Sequence, residues 1–306
     1  MIDSRLPPIS PLNISVVLSI VCMALGGIFD KKALEQASAR DVALILYLVR
    51  LINIPVSAAI LYILRPEGHL STELFLWAFC ASSCVFVAIM GYTIAMSLCE
   101  ASYVMGMTAG YSVVFQFLSV LWLNENLVAN RLIGAAIIAV GVAVIGASAA
   151  SKQAFPTGKN FVLAIASLVI SMVGWGMSNV FDKKAIMIAH PFQVAFAEGL
   201  WDLLMIAGLF FFHVKVKGHR PNLTSYRTWK FCVLSTLTWL VSNYAYFYAF
   251  SLGNASYVSA ICSAYPLAMY LFSLTLLRES FNRTRMAGIV FVTIGSAVVQ
   301  CTQSGI

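Results

Sequence analysis

Long apolar stretches separated by short polar connections extend along the whole 306-residue chain. A bilayer core about 30 Å thick needs roughly 20 apolar residues of helix, and ten stretches are close to this length or exceed it. The connections hold breaking and charged residues, and none is long enough to fold as a separate domain. The pattern therefore predicts an all-α integral membrane protein with ten transmembrane helices, over residues 13–30, 42–64, 74–98, 102–123, 131–149, 161–181, 192–214, 229–252, 255–277 and 285–302.

The composition agrees with a chain whose main partner is the lipid bilayer. Hydrophobic residues make up 60% and charged residues 10% of the chain, whereas a soluble domain carries about 25% charged residues. The net charge of +7 is interpreted as basic residues in loops beside the bilayer, so we expect no nucleic-acid partner. The cysteines form no C-x-x-C pair, and the sequence has no zinc-protease, serine-hydrolase, phosphate-binding or dinucleotide-binding motif. We expect neither an enzyme nor a bound metal or cofactor.

The letters FDKKA occur twice, at residues 29–33 and 181–185, as part of a longer duplication. Residues 97–146 align without a gap with residues 251–300, which predicts two five-helix units, residues 1–150 and 151–306. Because five is an odd number, the second unit begins on the opposite side of the membrane, and the units are inverted repeats. FDKKA is interpreted as a trace of this duplication at the end of each unit's first helix, with lysines reaching toward headgroups.

Several short motifs resemble those of a known group of transporters. Gly174-Trp175-Gly176 is similar to the start of a repeat in that group. The segments Leu123–Leu127 and Leu277–Phe281 resemble its L-G-E-R-L turn, with both glutamates kept and the glycine replaced by another residue. Across the whole chain these features resemble the drug/metabolite transporter superfamily, in particular its EamA-like branch. The resemblance implies ten helices in two inverted repeats around a central transport cavity.

Polar and aromatic side chains recur at helical spacing inside the predicted spans, where a polar group facing lipid is costly. The resemblance implies that these helices line the cavity. Small hydroxyl side chains equally suit close packing between helices, so this alternative stays open for the serines. An aromatic wall with a few amides suits a small zwitterion or organic cation. The candidate substrate-binding residues are Trp175 and Asn179 of the sixth helix, Trp239, Asn243 and Tyr246 of the eighth, Ser263 and Tyr270 of the ninth, and Ser112 and Gln116 of the fourth.

Three ionisable residues lie well inside predicted spans: Arg50, Glu198 and Asp202. Glu198 and Asp202 share a helix face, and Arg50 and Asp202 are equivalent in the two repeats. We therefore expect Arg50 to pair with Asp202 or Glu198, which neutralises charges that the bilayer penalises. The pair is interpreted either as a latch between the halves or as a substrate or proton site, and Glu198 is the candidate if protons are coupled to transport.

The distribution of basic residues and the family resemblance predict opposite orientations. Most Lys and Arg residues outside the spans lie in one set of connections, above all Lys215, Lys217, Arg220, Arg227 and Lys230. The positive-inside rule then places both termini outside the cytoplasm. The resemblance implies that both termini lie inside, so the direction of transport stays open.

Together these features predict a transporter that moves a small polar metabolite, such as an amino acid or amine, by alternating access, with export as one direction considered. A nucleotide-sugar or sugar-phosphate exchanger is the main alternative, although its substrate needs several cationic side chains in the cavity and only Arg50 is available. A membrane scaffold without transport activity is less favoured. We expect a monomer or homodimer in the bacterial inner membrane.

Overall fold

The computed structural model describes residues 11–66, 70–125, 128–148, 156–211, 223–252, 258, 261–262 and 264–300. These residues contain helices and turns and no strand. The helices are α1 Pro11–Leu34, α2 Ala39–Arg50, α3 Asn53–Leu64, α4 Thr72–Leu98, α5 Ala101–Thr108, α6 Tyr111–Trp122, α7 Ala129–Ala147, α8 Lys159–Ile188, α9 Pro191–Phe211, α10 Tyr226–Leu252, α11 Tyr265–Phe272 and α12 Arg283–Gln300, with a π-helical segment Ser273–Leu277 after α11.

Seven of the helical segments among the described residues are long and apolar enough to cross a membrane. Two of these spans are double, since α2 and α3 form one and α5 and α6 form another. The last three predicted spans correspond to α10, to α11 with its π-helical segment, and to α12, and their crossing stays a prediction. Much of residues 255–264 in the predicted ninth span, and the predicted unit boundary at residue 150, lie outside the described residues. The seven spans are Pro11–Leu34, Ala39–Leu64, Thr72–Leu98, Ala101–Trp122, Ala129–Ala147, Lys159–Ile188 and Pro191–Phe211.

Both double spans are interrupted at two residues by tightened turns. At the α2–α3 break, the Ile52 N–H donates to Val49 O at 3.0 Å. At the α5–α6 break, the Gly110 N–H donates to Met107 O at 3.1 Å. Bonds that reach back three residues are typical of 3₁₀ geometry, which turns the helix axis slightly without leaving many backbone groups unpaired. The first break places Arg50 at the end of α2, beside the centre of the molecule.

The two halves pack against each other through equivalent pairs of helices. The helix α1 lies along α10, and α8 lies along α4, which is the same pairing with the halves exchanged. The helices α7 and α12 meet through the glycines predicted from the duplication. A Cβ added to Gly141 would lie 2.7 Å from Gly288 O, and one added to Gly295 would lie 2.7 Å from Gly134 O. This glycine stripe therefore packs the two helices closely within one chain.

The first FDKKA motif lies at the end of α1, as expected, whereas α8 runs on past the second motif, and the first lysine of each motif binds another helix instead of reaching toward headgroups. The helix α1 ends at Leu34 and α8 ends at Ile188. Lys31 Nζ donates to Met96 O and Cys99 O at 2.9 and 2.8 Å, at the end of α4. Lys183 Nζ donates to Phe250 O at 3.0 Å, in the last turn of α10. These lysines satisfy helix C-terminal carbonyls that have no partner within their own helix.

Candidate functional site

A cavity of about 150 Å³ lies between the two halves. At the ~30 Å³ that a water molecule occupies in the liquid, this space holds roughly five waters. Its wall is built by residues of α1, α2, α3, α4, α6, α8, α9, α10 and α11, so both repeats contribute. The cavity is mainly apolar, with a few polar groups that converge on it, which is typical of small-molecule sites.

Aromatic side chains form one wall of the cavity. The indole rings of Trp175 and Trp239 are stacked with centroids 6.5 Å apart. The Tyr92 ring lies 5.4 Å from that of Trp175 and is tilted by 55°. Trp175 comes from α8 and Trp239 from α10, so helical spacing in both halves delivers this wall as the sequence predicted.

Asp30, the aspartate of the first FDKKA motif, lies in this wall and is 2% exposed. Its carboxylate accepts hydrogen bonds from Tyr92 Oη and Trp239 Nε1, both at 3.1 Å, and from Ser235 Oγ. In the described part of the chain, no Lys or Arg forms an ion pair with it. Gly26 is what lets the indole approach, because a Cβ there would lie 2.7 Å from Trp239 Nε1.

The sequence analysis missed Asp30 because it placed the end of the first helix at that residue. A signal was present, since Ser19, Met23, Gly26 and Asp30 follow one another at helical spacing. That stripe continues the face that meets α10, where Ser19 Oγ and Ser242 Oγ lie 3.0 Å apart. Asp30 therefore completes a polar face that runs along the whole helix.

A second group of charged residues joins Arg50 of the first repeat to three acidic residues of the second. Arg50 Nε donates to Asp202 Oδ2 at 2.6 Å, so the pairing of these two residues predicted from the sequence is confirmed. Arg50 lines the cavity, and so do Glu198 and Asp182, the aspartate of the second FDKKA motif. The carboxyl groups of Asp182 and Glu198 lie side by side, close enough to share a hydrogen bond when one of them carries a proton. The charges thus form a small cluster around one guanidinium group.

Amide and phenol groups complete the polar lining. Asn179, Asn243 and Tyr246 line the cavity at the positions expected from the sequence. Asn53 and Tyr244 also line it, although the sequence analysis did not select them. Tyr244 Oη donates to Asn53 Oδ1 at 2.5 Å, and Asn53 Nδ2 donates to Ala195 O at 2.9 Å. Asn53 follows the α2–α3 break, which no periodic pattern reveals.

Ser112, Gln116 and Tyr270, which the sequence analysis selected as substrate-binding residues, are not among the residues that line this cavity. On α6 it is Tyr111 that lines it, and on α11 it is Tyr265. Because each residue turns a helix by about 100°, Ser112 faces about 100° from Tyr111, and Gln116 and Tyr270 face about 140° from the tyrosines that precede them by five residues. Ser263 lies outside the described residues.

Ser112, Gln116 and Tyr270 are instead buried in packing contacts outside the cavity. Ser112 Oγ donates to Ala109 O at 3.0 Å, across the α5–α6 break. Tyr270 Oη accepts from the Asn282 N–H at 2.7 Å and donates to Asn282 O at 3.2 Å, which anchors the turn before α12. Gln116 is buried, and neither its amide oxygen nor its amide nitrogen has a hydrogen-bond partner among the described residues.

The turn around Glu279 joins the two halves beside the start of α5. The Glu279 carboxylate accepts from the Ala101 N–H at 2.7 Å and from Ser102 Oγ, so it caps a helix of the other repeat. Arg285, only 1% exposed, donates to Ser102 Oγ at 2.6 Å and forms an ion pair with Glu100. The carboxylate at a helix N-terminus is favoured by the unpaired amides and the helix dipole.

The two turns that resemble L-G-E-R-L show why that pattern has a glycine at its second position. Asn124 and Arg278, which replace it, have φ angles of 52° and 56°. Glycine adopts this left-handed conformation without the steric penalty of a Cβ. Asparagine tolerates the conformation better than most residues, whereas an arginine there carries strain that the capping network around Glu279 offsets.

Comparison with known proteins supports one family. No curated protein matches the chain. A solved structure described as "Crystal structure of protein" matches with a TM-score of 0.70 at 13% identity, covering 94% of this chain and 97% of that one. This likeness shows a shared fold. The sequence profile of the EamA-like transporter family matches residues 11–147 and again residues 162–300. One family unit thus covers each half of an all-helical protein with a central cavity, and the chain belongs to the EamA-like transporter family.

Proposed function

We propose that this membrane transporter moves a small metabolite with a positively charged amino group, such as an amino acid or amine, through the central cavity. The observation that carries the proposal is the chemistry of the wall around Asp30. A buried carboxylate there accepts a hydrogen bond from the indole N–H of Trp239, and the Trp239 ring is stacked on that of Trp175. An ammonium group is attracted both by a carboxylate and by an aromatic face, and the second attraction is worth about 2 kcal/mol when desolvated.

The charges around the cavity favour a cation over an anion. Three carboxyl groups line it, those of Asp30, Asp182 and Glu198. Among the described lining residues Arg50 is the only Lys or Arg, and its Nε is bonded to Asp202. A phosphate group usually needs free guanidinium or ammonium donors. This charge balance disfavours a nucleotide sugar or sugar phosphate as the substrate.

Alternating access between two inverted five-helix repeats is the mechanism that we propose. The helix α1 packs on α10 in the same way as α8 packs on α4. This equivalence supports the mechanism, because the cavity opens to the opposite side of the membrane when the two repeats exchange their conformations. The helix pairs α4–α5 and α10–α11 are the proposed gates. The Glu279 network joins α5 to the turn before α12, so a state open at that end needs these bonds broken.

A transport assay tests the proposal. Purified protein in liposomes is offered a panel of radiolabelled amino acids, amines and sugar phosphates. We expect uptake or exchange of compounds that carry an amino group, and none of sugar phosphates. Absence of uptake, exchange and efflux for every compound would contradict a transport function, and selective uptake of sugar phosphates would contradict the assigned substrate class.

The protein's location and assembly follow from the same proposal. The seven membrane-crossing segments belong to an integral membrane protein, and we assign it to a bacterial inner membrane. The cavity is lined by residues of a single chain, and we propose that each chain transports through its own cavity, as a monomer or within a homodimer. A fluorescent reporter fused to the C-terminus, active on only one side of the membrane, would determine the orientation.

A further inference from the structure

The duplication has left two aspartates in equivalent positions of the cavity wall, but with different surroundings. Asp30 accepts hydrogen bonds from Tyr92, Trp239 and Ser235. Its equivalent, Asp182, faces another carboxyl group, that of Glu198. The first repeat has Leu46 at the position that corresponds to Glu198. The carboxyl pair is therefore a feature of the second repeat alone.

The pair is deeply buried, and part of it has no hydrogen-bond partner. Asp182 is 5% exposed and Glu198 is 6% exposed. Among the described residues, neither Asp182 Oδ1 nor Glu198 Oε1 has a hydrogen-bond partner. Both residues line the cavity. A ligand that supplies a donor would satisfy these oxygens, and a proton is the smallest such ligand.

The neighbouring charged and titratable groups do not neutralise the pair. Arg50 faces it from α2, but Asp202 of α9 already accepts from the same guanidinium at 2.6 Å. Among the described residues, Tyr244 of α10, Cys84 of α4 and Tyr47 of α2 are further titratable groups near this cluster, and none of them is cationic. If Asp182, Glu198 and Asp202 were all ionised, three negative charges would surround one positive charge.

Two carboxyl groups in contact away from water cannot both stay ionised, and such pairs hold one proton between them. We propose that Asp182 joins Glu198, the candidate from the sequence, in one proton-binding site that couples transport to a proton gradient. The pair accepts one proton from water on one side of the membrane, which converts a carboxylate into a carboxyl group. It releases that proton when the cavity opens to the other side.

This inference rests on the proposed transport function only for the coupling, and its proton site is testable without any substrate. The full chain in lipid is measured by infrared difference spectroscopy while the pH is stepped from acidic to alkaline. The wild type should show the carbonyl stretch of one buried protonated carboxyl group, which disappears at alkaline pH. Absence of this band in the wild type at every pH would overturn the proposal.

The variants assign the band. Asp182→Asn and Glu198→Gln should each abolish the paired-carboxyl band, since either change removes the shared proton. Glu35→Gln is the matched control, because Glu35 is exposed at the end of α1 and should leave the band unchanged. A band that persists unchanged in both cavity variants belongs to another group and overturns the assignment.

The coupling is tested in liposomes with the radiolabelled amino acids and amines of the panel above. Glu198→Gln should retain exchange of labelled for unlabelled compound and lose accumulation driven by a pH gradient. Accumulation equal to that of the wild type would overturn the coupling role. If the wild type moves no compound, the proposed function fails, while the infrared result still decides whether the proton site exists.

Discussion

The Arg50–Asp202 ion pair provides a quantitative test of how charge is accommodated between the two halves. The Nε–Oδ2 distance is 2.6 Å, and the side chains of Arg50 and Asp202 are 18% and 1% exposed. At an effective dielectric constant of about 20, two unit charges at this distance attract each other by about 6 kcal/mol before desolvation is subtracted. Removing one partner of a buried pair leaves the other charge uncompensated and costs about 3–5 kcal/mol.

We expect Asp202→Asn to destabilise the protein by about 3 kcal/mol, at the low end of that range because Arg50 reaches the cavity. For a chain of this length the apparent Tm should fall by roughly 5 °C, measured by thermal unfolding in detergent micelles. Glu35→Gln, an exposed carboxylate-to-amide change, is the control and should leave the midpoint unchanged. A midpoint of Asp202→Asn equal to that of the wild type would refute the reasoning.

The double variant Arg50→Asp/Asp202→Arg separates the two interpretations of the pair. It retains both charges with their positions exchanged, so it should recover most of the thermal stability that Asp202→Asn loses. Recovery of transport together with stability indicates a latch between the halves. Recovery of stability without transport indicates that Arg50 contacts the substrate or the carboxyl pair directly. Failure to recover stability contradicts the direct ion pair.

Three further changes probe the cavity wall and the turn that joins the halves. Trp239→Phe replaces the indole face by a phenyl face, which attracts a cation less, and we expect binding of amino compounds to weaken severalfold in equilibrium titrations; unchanged binding contradicts the aromatic contact. Gly26→Ala should abolish uptake, because the added Cβ displaces the Trp239 indole. Gly208→Ala is the control and should leave uptake unchanged, since nothing lies within 4 Å of its added Cβ. Uptake by Gly26→Ala equal to that of the wild type would contradict the close approach of the indole. Glu279→Gln should cost about 2 kcal/mol in unfolding titrations, and no loss would contradict the capping role.

The features that the sequence predicted well are those set by the bilayer itself. Apolar length identifies spans because an unsatisfied backbone in lipid is costly, so helices must extend across the hydrocarbon. The Arg50–Asp202 pair was predictable because isolated charges are penalised there and the duplication places both at similar depth. The glycine stripe of α7 and α12 was predictable because small residues permit close approach.

The features that the sequence did not reveal depend on contacts between distant segments. Asp30 and Lys31 are adjacent, yet the first accepts bonds from α4 and α10 and the second caps α4. Charged residues near the end of an apolar run therefore do not have to face the headgroups, because other helices can supply their partners. The breaks before Asn53 and Tyr111 likewise decide which side chains reach the cavity, and they lie inside continuous apolar runs.

Uptake of radiolabelled amino acids and amines by liposomes that contain either the wild type or Asp30→Asn is the most direct test of the cavity as a transport site for cations. The variant keeps an oxygen that accepts hydrogen bonds and removes the negative charge. We predict uptake by the wild type and a loss of about tenfold or more in Asp30→Asn, the effect of one charge-assisted bond of 1.5–3 kcal/mol. Equal uptake by the two proteins would contradict the account.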